Sequence, residues 1–177
     1  MNTQATPPPP LPVNDALDEA AAAARRLVRR QAAMAAGVSL VPIFGVDLLI
    51  NAKLMAETVR RINAAFGLSP EQIARLPGPL KSRVDELIRQ VGSVLIGRVV
   101  TQAVLLQVVR GMGLRLSAQQ AAKLAPLAGM AASAALAGWL FKRVAERHIR
   151  HCVEVRQALA NEPLALEAPD RRLLEAR

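Results

Sequence analysis

The chain has 177 residues, a net charge of +9 and 52% hydrophobic residues, which is enough for one domain with a substantial core. Only 2% of the residues are aromatic and none is Tyr, which argues against single-stranded nucleic-acid binding, because those proteins stack bases on aromatic rings. A positive charge combined with a high apolar content fits anionic lipid headgroups better than nucleic acid. The single cysteine, Cys152, excludes an internal disulfide.

The two ends of the sequence are predicted to lie outside the folded part. Residues 1–13 are rich in proline and predict a disordered tail, and residues 161–177 predict a flexible C-terminal tail or one weak turn. The helical domain is expected between them, at 14–160. The first residues also lack the basic start and apolar run of a cleavable signal peptide, so we expect any membrane to be met from the cytoplasmic side.

The first helix is predicted to begin near residue 14, because Asn14 or Asp15 can cap it. It is expected to end at a break that contains Pro42 and Gly45. Proline removes a backbone donor, and glycine admits conformations that other residues avoid. Asp47 follows the break and can cap the next helix.

The second helix is predicted over residues 47–66, with Gly67 as its left-handed terminator. Ser69 and Gln72 then have the spacing of a capping box, which predicts a short helix that the Pro-Gly-Pro sequence at 77–79 ends. No segment keeps the two-residue alternation of a strand for long. The fold class is therefore predicted as all-α, a helical bundle.

Two long helices are predicted in the second half, at about 80–110 and 117–159, the second with a kink at Pro126. A turn at 110–115 would join them into a long antiparallel helical hairpin. Small residues recur every four positions on the second helix and are spaced alike on the first, as in helices that pack backbone to backbone. The predicted packing residues are Gly129, Ser133 and Ala137 on the second helix and Ser93 and Gly97 on the first. Ordinary packing in a soluble Ala-rich bundle is the alternative.

The run from Leu124 to Phe141 has no charged residue and, as a helix, measures about 27 Å, close to the thickness of a bilayer core. Trp139 lies where an interfacial ring is favourable. The run is mostly Ala and Gly, however, and the preceding helix carries Arg98 at its centre, which costs roughly 2.5–3.5 kcal/mol to insert. A buried Asp47 is one partner that Arg98 could have. Spanning, half-insertion and burial in a soluble bundle all stay open.

Basic residues flank the apolar runs and predict contacts with anionic headgroups, with a solvated surface as the alternative. These residues are Arg25, Arg26, Arg29, Arg30, Lys142 and Arg143.

No catalytic constellation is found. Residues 92–99 superficially imitate a phosphate-binding loop but lack its Lys and its Ser/Thr. His148, His151 and Cys152 have a spacing that can bring metal ligands together on one helix face, but the sequence offers no fourth ligand. We therefore expect no enzymatic activity, no cofactor and no bound metal.

Four short segments together resemble the YcjF-like family. They are the break at 41–47, the amphipathic stretch with Lys53, Met55 and Glu57, the sequence Phe-Gly-Leu-Ser at 66–69, and the Ala-Gly-Trp-Leu-Phe end of the small-residue helix at 137–141. The resemblance covers roughly residues 30–155. It departs at Phe66, where the family usually has Tyr.

The resemblance implies a helical, membrane-associated domain of unknown function that occurs behind or beside Era-like GTPase domains. This sequence lacks a phosphate-binding loop with Lys and the guanine-specifying Asn-Lys-x-Asp, so we expect it to meet a GTPase in trans. The leading prediction is a non-enzymatic protein at the bacterial inner membrane, facing the cytoplasm, with anionic lipid as partner and a homo-oligomer as a further option. The alternative is a soluble, cytoplasmic all-α adaptor or oligomerisation module that binds a partner protein.

Overall fold

The computed structural model describes residues 13–38, 46–101, 104, 126–160 and 169–175, and within these ranges it contains helices and no strand. The all-α prediction is therefore confirmed. The described helices are α1 (Val13–Val38), α2 (Val46–Ala65), α3 (Pro70–Ala74), α4 (Gly78–Gln90), α5 (Pro126–Ala160) and α6 (Arg172–Glu175).

The two longest helices, α1 and α5, pack against each other in antiparallel directions. Arg25 Nε lies 3.5 Å from Glu146 Oε2, and further along α1 the backbone of Ala32 and the side chain of Ala36 lie against Gly138. A Cβ atom on Gly138 would lie 3.2 Å from the carbonyl oxygen of Ala32 and 3.3 Å from Cβ of Ala36. Small residues on both helices therefore allow their backbones to approach closely.

Among the described residues, the buried apolar side chains form two clusters. The larger contains the first half of α1 and the second half of α5, closed by α2 and α4, and its most deeply buried members include Leu17, Val28, Ile62, Phe66, Val84, Ile149 and Val155. The smaller lies near the end of α1 and beside the middle of α2, and consists of Ala35, Met55, Val59, Leu95, Phe141 and Val144. The smaller cluster thus marks one end of the α1–α5 pair.

The predicted helix signals after α2 are confirmed. Gly67 has a φ of +69° at the end of α2, a conformation in which glycine avoids the usual Cβ clash. The capping box is formed in both directions: the Ser69 amide donates to Gln72 Oε1 at 3.0 Å, and the Gln72 amide donates to Ser69 Oγ at 3.3 Å. Pro70 occupies the first turn of α3, as the pattern predicts.

The prediction of one continuous helix over 80–110 is wrong, because α4 ends at Gln90 and residues 91–101 are not helical. Gly92 and Gly97 have φ values of +64° and +65°, which a right-handed helix excludes. Ser93 does not lie on a helical ridge, since its Oγ accepts from the amides of Leu95 and Ile96 within a turn. The long hairpin is accordingly not confirmed, and its predicted turn at 110–115 lies outside the described residues.

Part of the segment predicted as a flexible tail packs against the helices. The amide of Asp170 donates to the carbonyl of Ala65 at 2.8 Å, and the Arg61 guanidinium donates to the carbonyls of Leu173 and Leu174. The side chain of Leu174 is buried. Residues 169–175 therefore dock one helical turn onto α1 and α2.

Several predicted residues fall where the structure gives no side chain. Pro42 and Gly45 lie outside the described residues, between the end of α1 at Val38 and the start of α2 at Val46. Asp47 lies in the first turn of α2, and Gly129 and Ser133 lie in the first half of α5, but only the helical backbone is described at these three positions.

Candidate functional site

All six cationic residues predicted to meet lipid are exposed on the outer faces of α1 and α5. Two of them have acidic partners: Arg25 pairs with Glu146 at 3.5 Å, and Arg26 pairs with Glu175 at 3.7 Å. Exposed ion pairs of this kind contribute at most about 1 kcal/mol, yet they offset part of the positive charge locally. The remaining four residues carry the charge that is best placed to meet an anion.

These four residues lie at one level along the α1–α5 pair. The Arg25–Glu146 contact fixes the register of the two helices. Arg29 lies one turn after Arg25 on α1, and Lys142 lies one turn before Glu146 on α5, so the two are at the same level. Arg30 and Arg143 are their sequence neighbours. We call this set, consisting of Arg29, Arg30, Lys142 and Arg143, the cationic belt.

Large apolar side chains are exposed about one turn beyond the belt. Met34 on α1 is 56% exposed, and Leu136 and Trp139 on α5 are 39% and 48% exposed. We call these three residues the apolar tip. The Arg143 guanidinium lies 5.5 Å from the centre of the Trp139 ring, a cation–π contact that joins the belt to the tip.

The close helix contact lies one residue away from a predicted packing position. Gly138 makes the approach to α1, whereas its neighbour Ala137 is half-buried. Ala134 precedes Gly138 by one turn and is buried, so these two form the observed small-residue pair. Sequence reasoning missed them because this helix has small residues on several faces, and the spacing alone did not select one.

A second arrangement of polar residues lies inside the core, around His148 and Cys152. His148 Nε2 lies 3.7 Å from Cys152 Sγ, which lies 3.9 Å from Asn63 Oδ1, and Asn63 Nδ2 donates to the Leu95 carbonyl at 2.9 Å. Burial lowers the pKa of His148 to about 3, with the charge of His151 as a smaller cause, and burial raises the pKa of the Cys152 thiol. Both groups are therefore neutral at pH 7.

This buried arrangement connects elements rather than presenting ligands. It joins α5 to α2 and, through Asn63, to the backbone of the segment after α4. Within the described ranges, no group of three or more His, Cys, Asp and Glu side chains is placed to hold a metal ion.

Acidification is expected to destabilise the protein through His148. Its pKa is about 3 in the fold and about 6.5 when unfolded, so the unfolded chain binds the extra proton between these values and stability falls as the pH drops below 6.5. From pH 7 to pH 5, the free energy of unfolding should fall by about 2 kcal/mol. Urea unfolding at both pH values measures this difference.

His148→Gln should remove most of that pH dependence, whereas His151→Gln should retain it, because His151 is only half-buried. Equal pH dependence in the wild type and His148→Gln would show that burial of this imidazole does not control acid stability.

Comparison with known proteins finds no matching family model, and neither a curated protein nor a solved structure that is similar to the chain. Among the described residues, no helix combines the length and the apolar character that crossing a membrane requires.

Proposed function

We propose that this protein is a non-enzymatic, membrane-associated helical protein that binds anionic lipid headgroups through its cationic belt. The observation that supports the proposal is the position of the belt beside the apolar tip. Proteins that bind membrane surfaces combine apolar contacts with cationic attraction, and each Lys or Arg near an anionic surface contributes about 1 kcal/mol. The same +9 net charge favours association with an anionic surface over the whole molecule.

The proposed site narrows the set of lipid-binding residues that the sequence predicts. Arg25 and Arg26 are paired with acidic side chains, so they strengthen the positive field without being the first contacts. The proposed location is the cytoplasmic face of the bacterial inner membrane. We propose surface binding with partial insertion instead of a membrane-spanning hairpin, because residues 91–101 do not form the helix that the hairpin requires.

The similarity of the sequence to the YcjF-like family supports a further part of the proposal. The protein would act at the membrane together with a GTPase encoded separately, either as a single chain or as a homo-oligomer. The segments that carry this resemblance include Trp139 of the apolar tip and Leu68 of the core.

Cell fractionation tests the proposed location. The expressed protein should pellet with membranes at low salt and should be released when high salt and alkaline carbonate are combined, because salt screens the headgroup attraction. Recovery in the soluble fraction from the start would contradict membrane association. Retention in the membrane pellet through both washes would show that the protein is fully inserted and not bound at the surface.

A soluble all-α adaptor is the second candidate, and the exposed apolar residues that do not belong to the tip favour it. Ile50 and Val99 are exposed, and each lies within a turn of a residue that packs against the smaller core cluster. Together with the tip they would suit an apolar partner protein. This candidate predicts binding that does not depend on anionic lipid.

A further inference from the structure

The exposed apolar residues are concentrated at one end of the molecule. Of the six large apolar side chains exposed among the described residues, five lie within four residues of a side chain that belongs to the smaller core cluster or packs against it, and one, Leu173, lies on α6. Soluble proteins commonly expose single apolar side chains that are scattered over the surface, whereas a cluster of them at one end indicates an interaction site.

Two members of the apolar tip, Met34 and Leu136, lie on opposite sides of the helix pair. Ala32 and Ala36 face α5, and Met34, midway between them in sequence, lies about 200° around α1 from each, on the far side from the contact. Leu136 is two residues from Gly138 and therefore lies on the far side of α5. A flat surface pressed against the outer side of either helix would meet only one of these two side chains.

The belt is confined to one level along the axis of the pair. Arg29 and Arg30 point about 100° apart on α1, as Lys142 and Arg143 do on α5. All four lie at one level, and the apolar tip lies beyond them in the direction in which α1 ends. Along the axis of the pair, the exposed large apolar side chains of α1 and α5 therefore lie on only one side of the belt.

Helix α5 continues past the end of α1. Because Gly138 packs between Ala32 and Ala36, the last residue of α1, Val38, lies opposite a position near residue 134, and α5 begins about two turns further on, at Pro126. The sequence of α5 has no charged residue from Pro126 to Phe141. The uncharged part of α5 is thus the part that projects beyond the belt.

From this arrangement we infer that the α1–α5 pair meets an anionic bilayer end-on, with the apolar tip among the upper acyl chains and the cationic belt at the level of the lipid phosphates. This inference rests on the proposed function and adds the orientation of the protein and the residues that enter the lipid. Within the apolar tip, Trp139 lies nearest the belt, at the depth where tryptophan is favoured at membrane interfaces. Arg143 stacks on that ring and keeps its charge at the phosphate level.

The fluorescence of Trp139 tests this orientation directly, because it is the only tryptophan of the chain. The full-length protein is mixed with vesicles of phosphatidylglycerol and phosphatidylcholine, and with phosphatidylcholine alone. The inference predicts a shift of the emission by several nanometres to shorter wavelength with anionic vesicles, and quenching by lipids brominated on their acyl chains. Sedimentation of the same vesicles measures binding separately.

Two substitutions at the tip and one matched control complete the test. Met34→Glu and Leu136→Glu should each weaken sedimentation with anionic vesicles by roughly tenfold or more, because the apolar contact is replaced by a charge. Leu173→Glu should leave binding unchanged, since Leu173 is 41% exposed, close to the 39% of Leu136, but lies on α6. Circular dichroism should show equal helix content in all three variants.

The outcomes separate the two proposals. Binding to anionic vesicles with unchanged Trp139 emission and no quenching would overturn the end-on orientation and leave headgroup binding in place. The end-on orientation would also be overturned if Leu173→Glu weakened binding as much as Leu136→Glu. No sedimentation with anionic vesicles would overturn both proposals.

Discussion

Replacing Gly138 with Leu is expected to lower the free energy of unfolding by about 2 kcal/mol or more, because a side chain at this position has no space. Its first atom would lie 3.2 Å from the carbonyl oxygen of Ala32, which belongs to the backbone of α1 and cannot rotate away. The two helices would have to separate along their contact. Urea unfolding followed by circular dichroism at 222 nm (the usual helix band) measures the loss.

Gly37→Leu is the matched control. This glycine lies in α1, is exposed, and has no atom within 4 Å of the position that a Cβ would occupy. The substitution should leave stability unchanged or raise it by up to about 1 kcal/mol, since leucine favours a helix more than glycine does. If Gly138→Leu were as stable as Gly37→Leu, α1 and α5 would not be in close contact.

Reversing two charges of the belt is expected to weaken binding to anionic vesicles by at least about 100-fold. In the double variant Arg29→Glu and Arg143→Glu, two attractions of about 1 kcal/mol each are lost and two repulsions are added. Both side chains are exposed, so the fold should be retained. Sedimentation at a series of lipid concentrations measures the change.

The control is a double variant with the same change in net charge at another site, Lys81→Glu and Arg89→Glu. Both residues are exposed on α4, which packs against the larger core cluster and not against the smaller one. This variant should bind at most a few-fold more weakly than the wild type. A loss as large as that of the belt variant would show that total charge, and not the belt, controls binding.

The local signals of the first half of the chain could be predicted from sequence, because they depend on a few neighbouring residues. The left-handed Gly67 and the capping box of Ser69 and Gln72 are formed as their spacing predicts. Helix α2 begins and ends one residue before its predicted bounds of 47 and 66. At such positions the backbone conformation follows from residue type.

The prediction of a helix over 80–110 was wrong because glycine occurs both in close helix contacts and in turns. Small residues four positions apart are typical of a close helix contact, and Ser93 with Gly97 fitted that pattern. Gly92 and Gly97 instead adopt positive φ values and end helical structure, and the Gly97 amide donates to the Leu68 carbonyl at 3.2 Å. Spacing alone does not distinguish a packing glycine from a turn glycine.

The partner of α5 could not be predicted either, because pairing depends on tertiary structure. The sequence favoured packing with its neighbour in the chain, whereas the structure packs α5 along α1. The buried face of α1 is rich in alanine, and small residues recur on several faces of α5, so the sequence offers similar surfaces in many registers. The sequence was sufficient to predict which cationic residues belong to the candidate site. That four of them lie at one level, about one turn from Met34, follows only from the register of α1 against α5.

The most direct test of the account is flotation of the purified protein with vesicles in a density gradient, comparing phosphatidylglycerol-containing vesicles with neutral ones at rising salt. The account predicts flotation with anionic vesicles at low salt, progressive loss as salt screens the belt, and little flotation with neutral vesicles. Absence of flotation with anionic vesicles at low salt, or equal flotation with both lipids at every salt concentration, would contradict it.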